Sequence, residues 1–154
     1  MLALDGRLAG HDDGAIPSIQ GGINVAHPNE DLVREAFAAF GRGDLEALQR
    51  QYFAEDIRYH FPGRSPMAGD YEGVAEVLEF FGRAFELTGG TLRLEMHDVI
   101  ANDEHAVALF TARAERAGRR LEDHTVQVSH VRDGKVTEVW LQPGDLYAGD
   151  EFWS

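Results

Sequence analysis

The side chains best suited to chemistry fall in one stretch, Asp56 to Gly73, which reads DIRYHFPGRSPMAGDYEG. His60 stands out, because an imidazole with an ordinary pKa of about 6.5 can act as acid or base near neutrality. Ile57, Tyr59 and Phe61 alternate with Arg58 and His60, the period of a half-buried strand. At the end of that strand, beside a loop, His60 is expected to face a cavity. Desolvated by apolar walls, it would be neutral at pH 7 and ready to accept a proton; the competing reading is a buried histidine bonded to the loop backbone. Tyr59 should point away from His60 and pack. Arg64, at the mouth of the loop, could hold a carboxylate or enolate, or lie at the surface in solvent.

The remaining candidates exclude more than they add. His97, His105, His124 and His130 are spread over three predicted strands, and no pair has metal-ligand spacing, so no metal site is expected. The chain has no cysteine, which removes disulfides, thiolate sites and cysteine nucleophiles. Gly63, Gly69 and Gly73 are too irregularly spaced for a phosphate cradle, and no basic residue follows at the next helix start. No cofactor is expected.

The elements that must position His60 follow from periodicity. Residues 1–27 are glycine-rich, with few large apolar side chains and no sustained period, and are expected to be a flexible tail; the domain is expected over 28–154. Asn29 can cap a first helix carrying Leu32, Val33, Ala36, Phe37 and Phe40 on one face. Gly41 and Gly43 stop it, and Asp44 can cap a second helix with Leu45, Leu48, Tyr52 and Phe53. After the strand and the loop, Val74, Val77, Leu78, Phe81 and Phe85 mark a third helix ending at Gly89-Gly90. Four strands follow: Thr91–Ala101, His105–Arg116, Leu121–Arg132 and Val136–Gln142. Three helices packed on a curved, antiparallel sheet make an α+β fold, a cone-shaped α+β barrel able to hold a small molecule.

The faces of the last hairpin depend on its turn. A three-residue loop at Arg132-Asp133-Gly134 pairs Gln127 with Val139 and turns Thr125, Gln127, Ser129, Val139 and Leu141 toward the helices. Val126, Val128, Glu138 and Trp140 then share the other face, which is apolar enough to call for a partner, a second copy of the chain. A two-residue turn would reverse the faces of one strand. Asp145 is expected to cap the final turn, and Phe152 and Trp153 to close the domain or a dimer seam.

The formal charge of −13 disfavours nucleic acid and anionic membranes as partners, since both need local positive charge. The first residues lack a basic segment followed by an apolar run, and no apolar stretch reaches membrane-spanning length, so a cytoplasmic location is expected.

Val33 to Asp44 with its Gly-Asp turn, the HFPGRSPMAG loop and the run RDGKVTEVW resemble the superfamily of nuclear transport factor 2, ketosteroid isomerase and the SnoaL-like polyketide cyclases, which shares a cystatin-like fold. The resemblance covers about residues 29–154. It implies the cone fold and a homodimer joined through the sheet, and it puts His60 where the isomerases keep their aspartate base. The isomerase tyrosine position on the first helix is Ala36, which donates nothing. Gln127 falls at the position of the second donor, and the cyclase histidine and aspartate become Gln127 and Leu141.

Two functions therefore compete. One is an isomerase, cyclase or dehydratase acting on an apolar carbonyl compound, with His60 as base and Gln127, Leu141, Val139, Phe37 and Arg64 around the substrate. The other is a ligand-binding or accessory protein with the same pocket and no chemistry. A protein-interaction module using the sheet is a third reading.

Overall fold

A computed structural model describes residues 25–154. The expected tail lies almost wholly outside the described residues, and its last residue is structural: the His27 side chain caps helix α1 (Pro28–Gly41) by accepting from Asn29 N at 3.1 Å. His27 Nε2 then reaches Asp103 Oδ1 at 2.9 Å, and the Asn29 amide donates to the Asn102 and Asp103 carbonyls. The cap is thus His27 rather than Asn29, and both pin α1 to a turn of the sheet. Pro28 at the first helical position and Glu30 and Asp31 in the first turn suit a helix start.

Asp44 caps the next turn as expected, accepting from Ala47 N at 3.0 Å. That helix is short: α2 (Leu45–Ala47) widens into a π-helical turn over Leu48–Tyr52, and Phe53 already begins strand β1 (Phe53–Phe61). After β1 the loop contributes a short strand, β2 (Gly69–Glu72), which sequence reading assigned to loop alone. Helix α3 (Val74–Leu87) buries Val74, Val77, Phe80, Phe81 and Ala84. Strands β3 (Arg93–Ala101), β4 (His105–Arg116), β5 (Arg119–Arg132) and β6 (Lys135–Gln142) form the meander, and helix α4 (Leu146–Trp153) ends the chain.

The sheet has six strands in the order β2-β1-β6-β5-β4-β3, with β1 parallel to β6 and every other pair antiparallel. Register shifts interrupt β1, β3 and the β5–β6 pair, and such bulges bend a strand so that one face can wrap helices. The wrapped face buries Ile57 and Val139 completely or nearly so, against Val77 and Phe81 of α3.

The β5–β6 hairpin corrects the expected register while keeping the expected faces. Arg132 pairs with Lys135 across a two-residue turn, and both turn residues have positive φ: Asp133 at 51° and Gly134 at 71°. That geometry alone would reverse a strand. A bulge between His130 and Val131 adds one residue on the β6 side, so Gln127 pairs with Leu141 instead of Val139 and still points toward the helices.

Candidate active site

The inner face of the sheet, α1, α3 and α4 line a partly open cavity of about 140 Å³. Its walls are mainly apolar, with an aromatic set that includes Phe37, Phe40, Phe61, Phe80, Phe110 and Trp153. Edge-on contacts such as Phe37–Phe110, with ring centroids 5.2 Å apart, hold them in place. The polar exceptions are Tyr59, Asp123, Thr125, Gln127 and Asp150.

Helix α4 supplies part of the cavity wall, and both of its termini are tied down. Asp145 caps its start, accepting from Ala148 N at 3.0 Å. Ahead of it, the buried Asp123 accepts from Gly144 N at 3.1 Å, Asp145 N at 2.9 Å and the Thr125 hydroxyl at 2.7 Å, so both oxygens are committed. At the far end Arg116 donates to the Phe152 and Ser154 carbonyls at 2.9 Å each, placing a cation where the helix dipole is negative. Phe152 and Trp153 are buried, closing the domain as the sequence suggested.

Asp150, on that helix, is the least committed carboxylate of the cavity wall. Its Oδ1 accepts from Arg64 N at 2.7 Å and Ser65 N at 3.0 Å, and Oδ2 has no hydrogen bond among the described residues. Gly63 permits the approach: its φ is +112°, and a β-carbon there would overlap Asp150 Oδ1. A cradled carboxylate with one open oxygen beside apolar walls can accept a proton from a bound molecule.

Of the residues singled out from sequence, Phe37, Gln127, Val139 and Leu141 line the cavity. His60 and Arg64 do not. Parallel pairing of β1 with β6 sets His60 beside Trp140 and Tyr59 beside Val139, so His60 lies on the outer face and Tyr59 on the inner one. The expectation that His60 faces the cavity is therefore corrected: the alternation of Ile57, Tyr59 and Phe61 defines the inward face, and His60 is out of phase with it. Arg64 contributes its backbone N–H, while its exposed side chain stays outside the wall.

On the outer face His60 is held the opposite way from a base. Nδ1 lies 2.7 Å from Asp70 Oδ1 and Nε2 lies 2.8 Å from Glu138 Oε1, while the ring stacks on Trp140 at 5.2 Å. A neutral imidazole can donate from only one nitrogen, so the two carboxylates are both satisfied only by the imidazolium. Partial burial pushes the His60 pKa down, but the hydrogen bonds and charges of Asp70 and Glu138 outweigh it, and the net shift is upward. A raised folded pKa means that this clamp stabilises fully below the unfolded value of about 6.5 and loses its contribution as pH rises through the folded value. Denaturant unfolding at pH 6 and pH 8.5 should show wild type losing more stability over that interval than His60→Gln. Equal losses in the two proteins would contradict the clamp.

Two features escaped sequence reading. Asp123 shares the alternation of Thr125 and Gln127 on β5, a signal that was available. Asp150 is brought to the cavity by a contact across 85 and 86 residues, for which no local signal exists. Among the described residues no group of three or more His, Cys, Asp or Glu side chains is placed to hold a metal ion.

A family model described as a SnoaL-like domain matches residues 33–139. A Mycobacterium tuberculosis H37Rv protein, named only as uncharacterized, is 36% identical over 125 residues, covering 80% of this chain and 95% of its own. Bal32a, from a soil-derived mobile gene cassette, has a solved structure that superposes with a TM-score of 0.80 at 36% identity, covering 84% of this chain and 98% of its own. IdmH of Streptomyces antibioticus, described as a candidate polyketide cyclase, shares the fold with a TM-score of 0.63 at 22% identity, covering 77% of this chain and 92% of its own.

Proposed function

Because the chain belongs to the SnoaL-like domain family, we propose that it is a small-molecule enzyme of the cyclase, isomerase or dehydratase type, working without a cofactor on an apolar carbonyl compound held in the cavity. The observation that carries this reading is the single open carboxylate oxygen of Asp150 on the wall of an aromatic cavity that also holds Gln127. Asp150 takes a proton from the carbon next to the carbonyl, and the electron pair moves onto the carbonyl oxygen. Returning the proton at another carbon isomerises the substrate; attack of the same carbon on an electrophile closes a ring. Gln127 donates one amide hydrogen to Ser129 Oγ at 3.2 Å and keeps the other to orient the carbonyl. Fold neighbours described as candidate polyketide cyclases support the reaction class.

Ligand binding without chemistry is the alternative, favoured by the full commitment of the Asp123 oxygens and by His60 lying outside. Mass spectrometry of what co-purifies, followed by incubation of that molecule with fresh protein, separates the two. Conversion supports the enzyme; recovery of the unchanged molecule supports the binder.

The outer sheet face is proposed as the seam of a homodimer. Val107, Leu109, Val126, Val128 and Trp140 form a half-buried apolar row across β4, β5 and β6, and Ile100 beside it is 60% exposed. Trp140→Glu should shift wild-type dimer to monomer in sedimentation at micromolar concentration; a monomeric wild type would end the proposal. No helix among the described residues is long and apolar enough to cross a membrane; a cytoplasmic setting is part of the proposal.

A further inference from the structure

Building on the reading of the cavity as a small-molecule site, we infer that its ligand is a single-ring, largely apolar molecule bearing one oxygen, and that the Tyr59 hydroxyl donates the hydrogen bond holding that oxygen. The size follows from the cavity volume of about 140 Å³. An engineered apolar cavity of about 150 Å³ in another protein takes up benzene, so one ring matches this volume and a fused three-ring skeleton would have to extend out of its mouth. The chemistry of the walls agrees: Phe37, Phe80, Phe110 and Trp153 line the cavity, and aromatic rings pair well with a flat partner.

The oxygen follows from Tyr59. It points inward from β1, is 7% exposed, and packs between Phe80 and Phe81 at centroid distances of 5.5 and 5.3 Å. Its hydroxyl bonds to no other side chain or backbone atom among the described residues, yet no sealed polar side-chain atom lacks a partner there. The hydroxyl must therefore touch open space, and on this face the open space is the cavity. Burial pushes the phenol well above its ordinary range, so it remains a donor at neutral pH. The other polar groups of the wall leave room for this donor: Thr125 donates to Asp123, Gln127 gives one hydrogen to Ser129 and keeps one that can reach the same oxygen, and the open Asp150 Oδ2 accepts rather than donates. A ligand oxygen that accepts from Tyr59 satisfies the one wholly unengaged hydroxyl of the cavity.

Three probes test both parts by calorimetric or dialysis affinity: acetophenone, its oxygen-free counterpart ethylbenzene, and the three-ring 2-acetylanthracene. Acetophenone is expected to bind at least about tenfold more tightly than 2-acetylanthracene. Tyr59→Phe should weaken acetophenone by about tenfold, the effect of losing one buried hydrogen bond, and leave ethylbenzene within twofold. Binding of the three-ring probe as tightly as acetophenone overturns the size, and so does failure of acetophenone to bind. Equal changes for ketone and hydrocarbon in Tyr59→Phe, including none, overturn the donor. These are binding measurements on probes that need not be substrates; recovery of the co-purified molecule unchanged would refute the enzyme reading and leave this inference standing.

Discussion

Asp150→Asn is expected to lower turnover by about a hundred- to ten-thousand-fold, the usual worth of a positioned general base. The substitution is nearly isosteric. An asparagine carbonyl can still accept from Arg64 N and Ser65 N, which hold Oδ1 at 2.7 and 3.0 Å, so the loop and α4 should stay docked. What disappears is the basicity of the open oxygen. Measured as kcat with the co-purified substrate, the loss should come with KM changed by only a few-fold and a thermal midpoint close to wild type. A variant that keeps its kcat would remove Asp150 from the reaction and favour binding without chemistry.

Gly63→Ala should reach the same site through the backbone. Gly63 sits at φ +112°, where a side chain is strained, and its β-carbon would collide with Asp150 Oδ1. The variant is expected to lose about 1–3 kcal/mol, which for a domain of this size lowers the midpoint by roughly 2–12 °C. The same displacement should drop turnover, because the carboxylate loses its cradle. Gly82→Ala is the control: it lies in α3 with nothing within 4 Å of a built β-carbon, and alanine is the better helix former. It should be neutral or slightly stabilising. If Gly63→Ala matches Gly82→Ala in both stability and turnover, the loop–α4 contact has no role in the site.

How much of this was legible in the sequence depends on the range of the interactions involved. Periodicity placed α1, α3 and β3 to β6, because their apolar faces are written locally. It missed α4, whose helical state depends on Asp123 and Arg116 reaching it from distant strands. Phe53 continued a helical spacing and yet begins β1, since the π-turn over Leu48–Tyr52 consumes the residues that a longer α-helix would have used. The hairpin shows two errors that cancel: the turn has two residues rather than three, and the bulge at His130/Val131 restores the inward face of Gln127 and Leu141.

His60 illustrates the opposite case. Alternation with Ile57, Tyr59 and Phe61 already places it outward, against the expectation drawn from its position at the strand end beside the loop. The physical result is an imidazolium shared by Asp70 and Glu138, on the side of the sheet away from the cavity. Asp150 had no comparable signal, because its partners Arg64 and Ser65 are remote in sequence and its value comes from an oxygen left without one.

The chain has two tryptophans, one on each side of the sheet: Trp153 on the cavity wall and Trp140 stacked on His60. Their indole N–H signals in a proton–nitrogen correlation spectrum report which side a ligand occupies. Titration of the co-purified molecule is predicted to move the Trp153 signal progressively to saturation and to leave Trp140 in place. Movement of Trp140 with Trp153 unchanged would contradict the assignment of the cavity as the functional site.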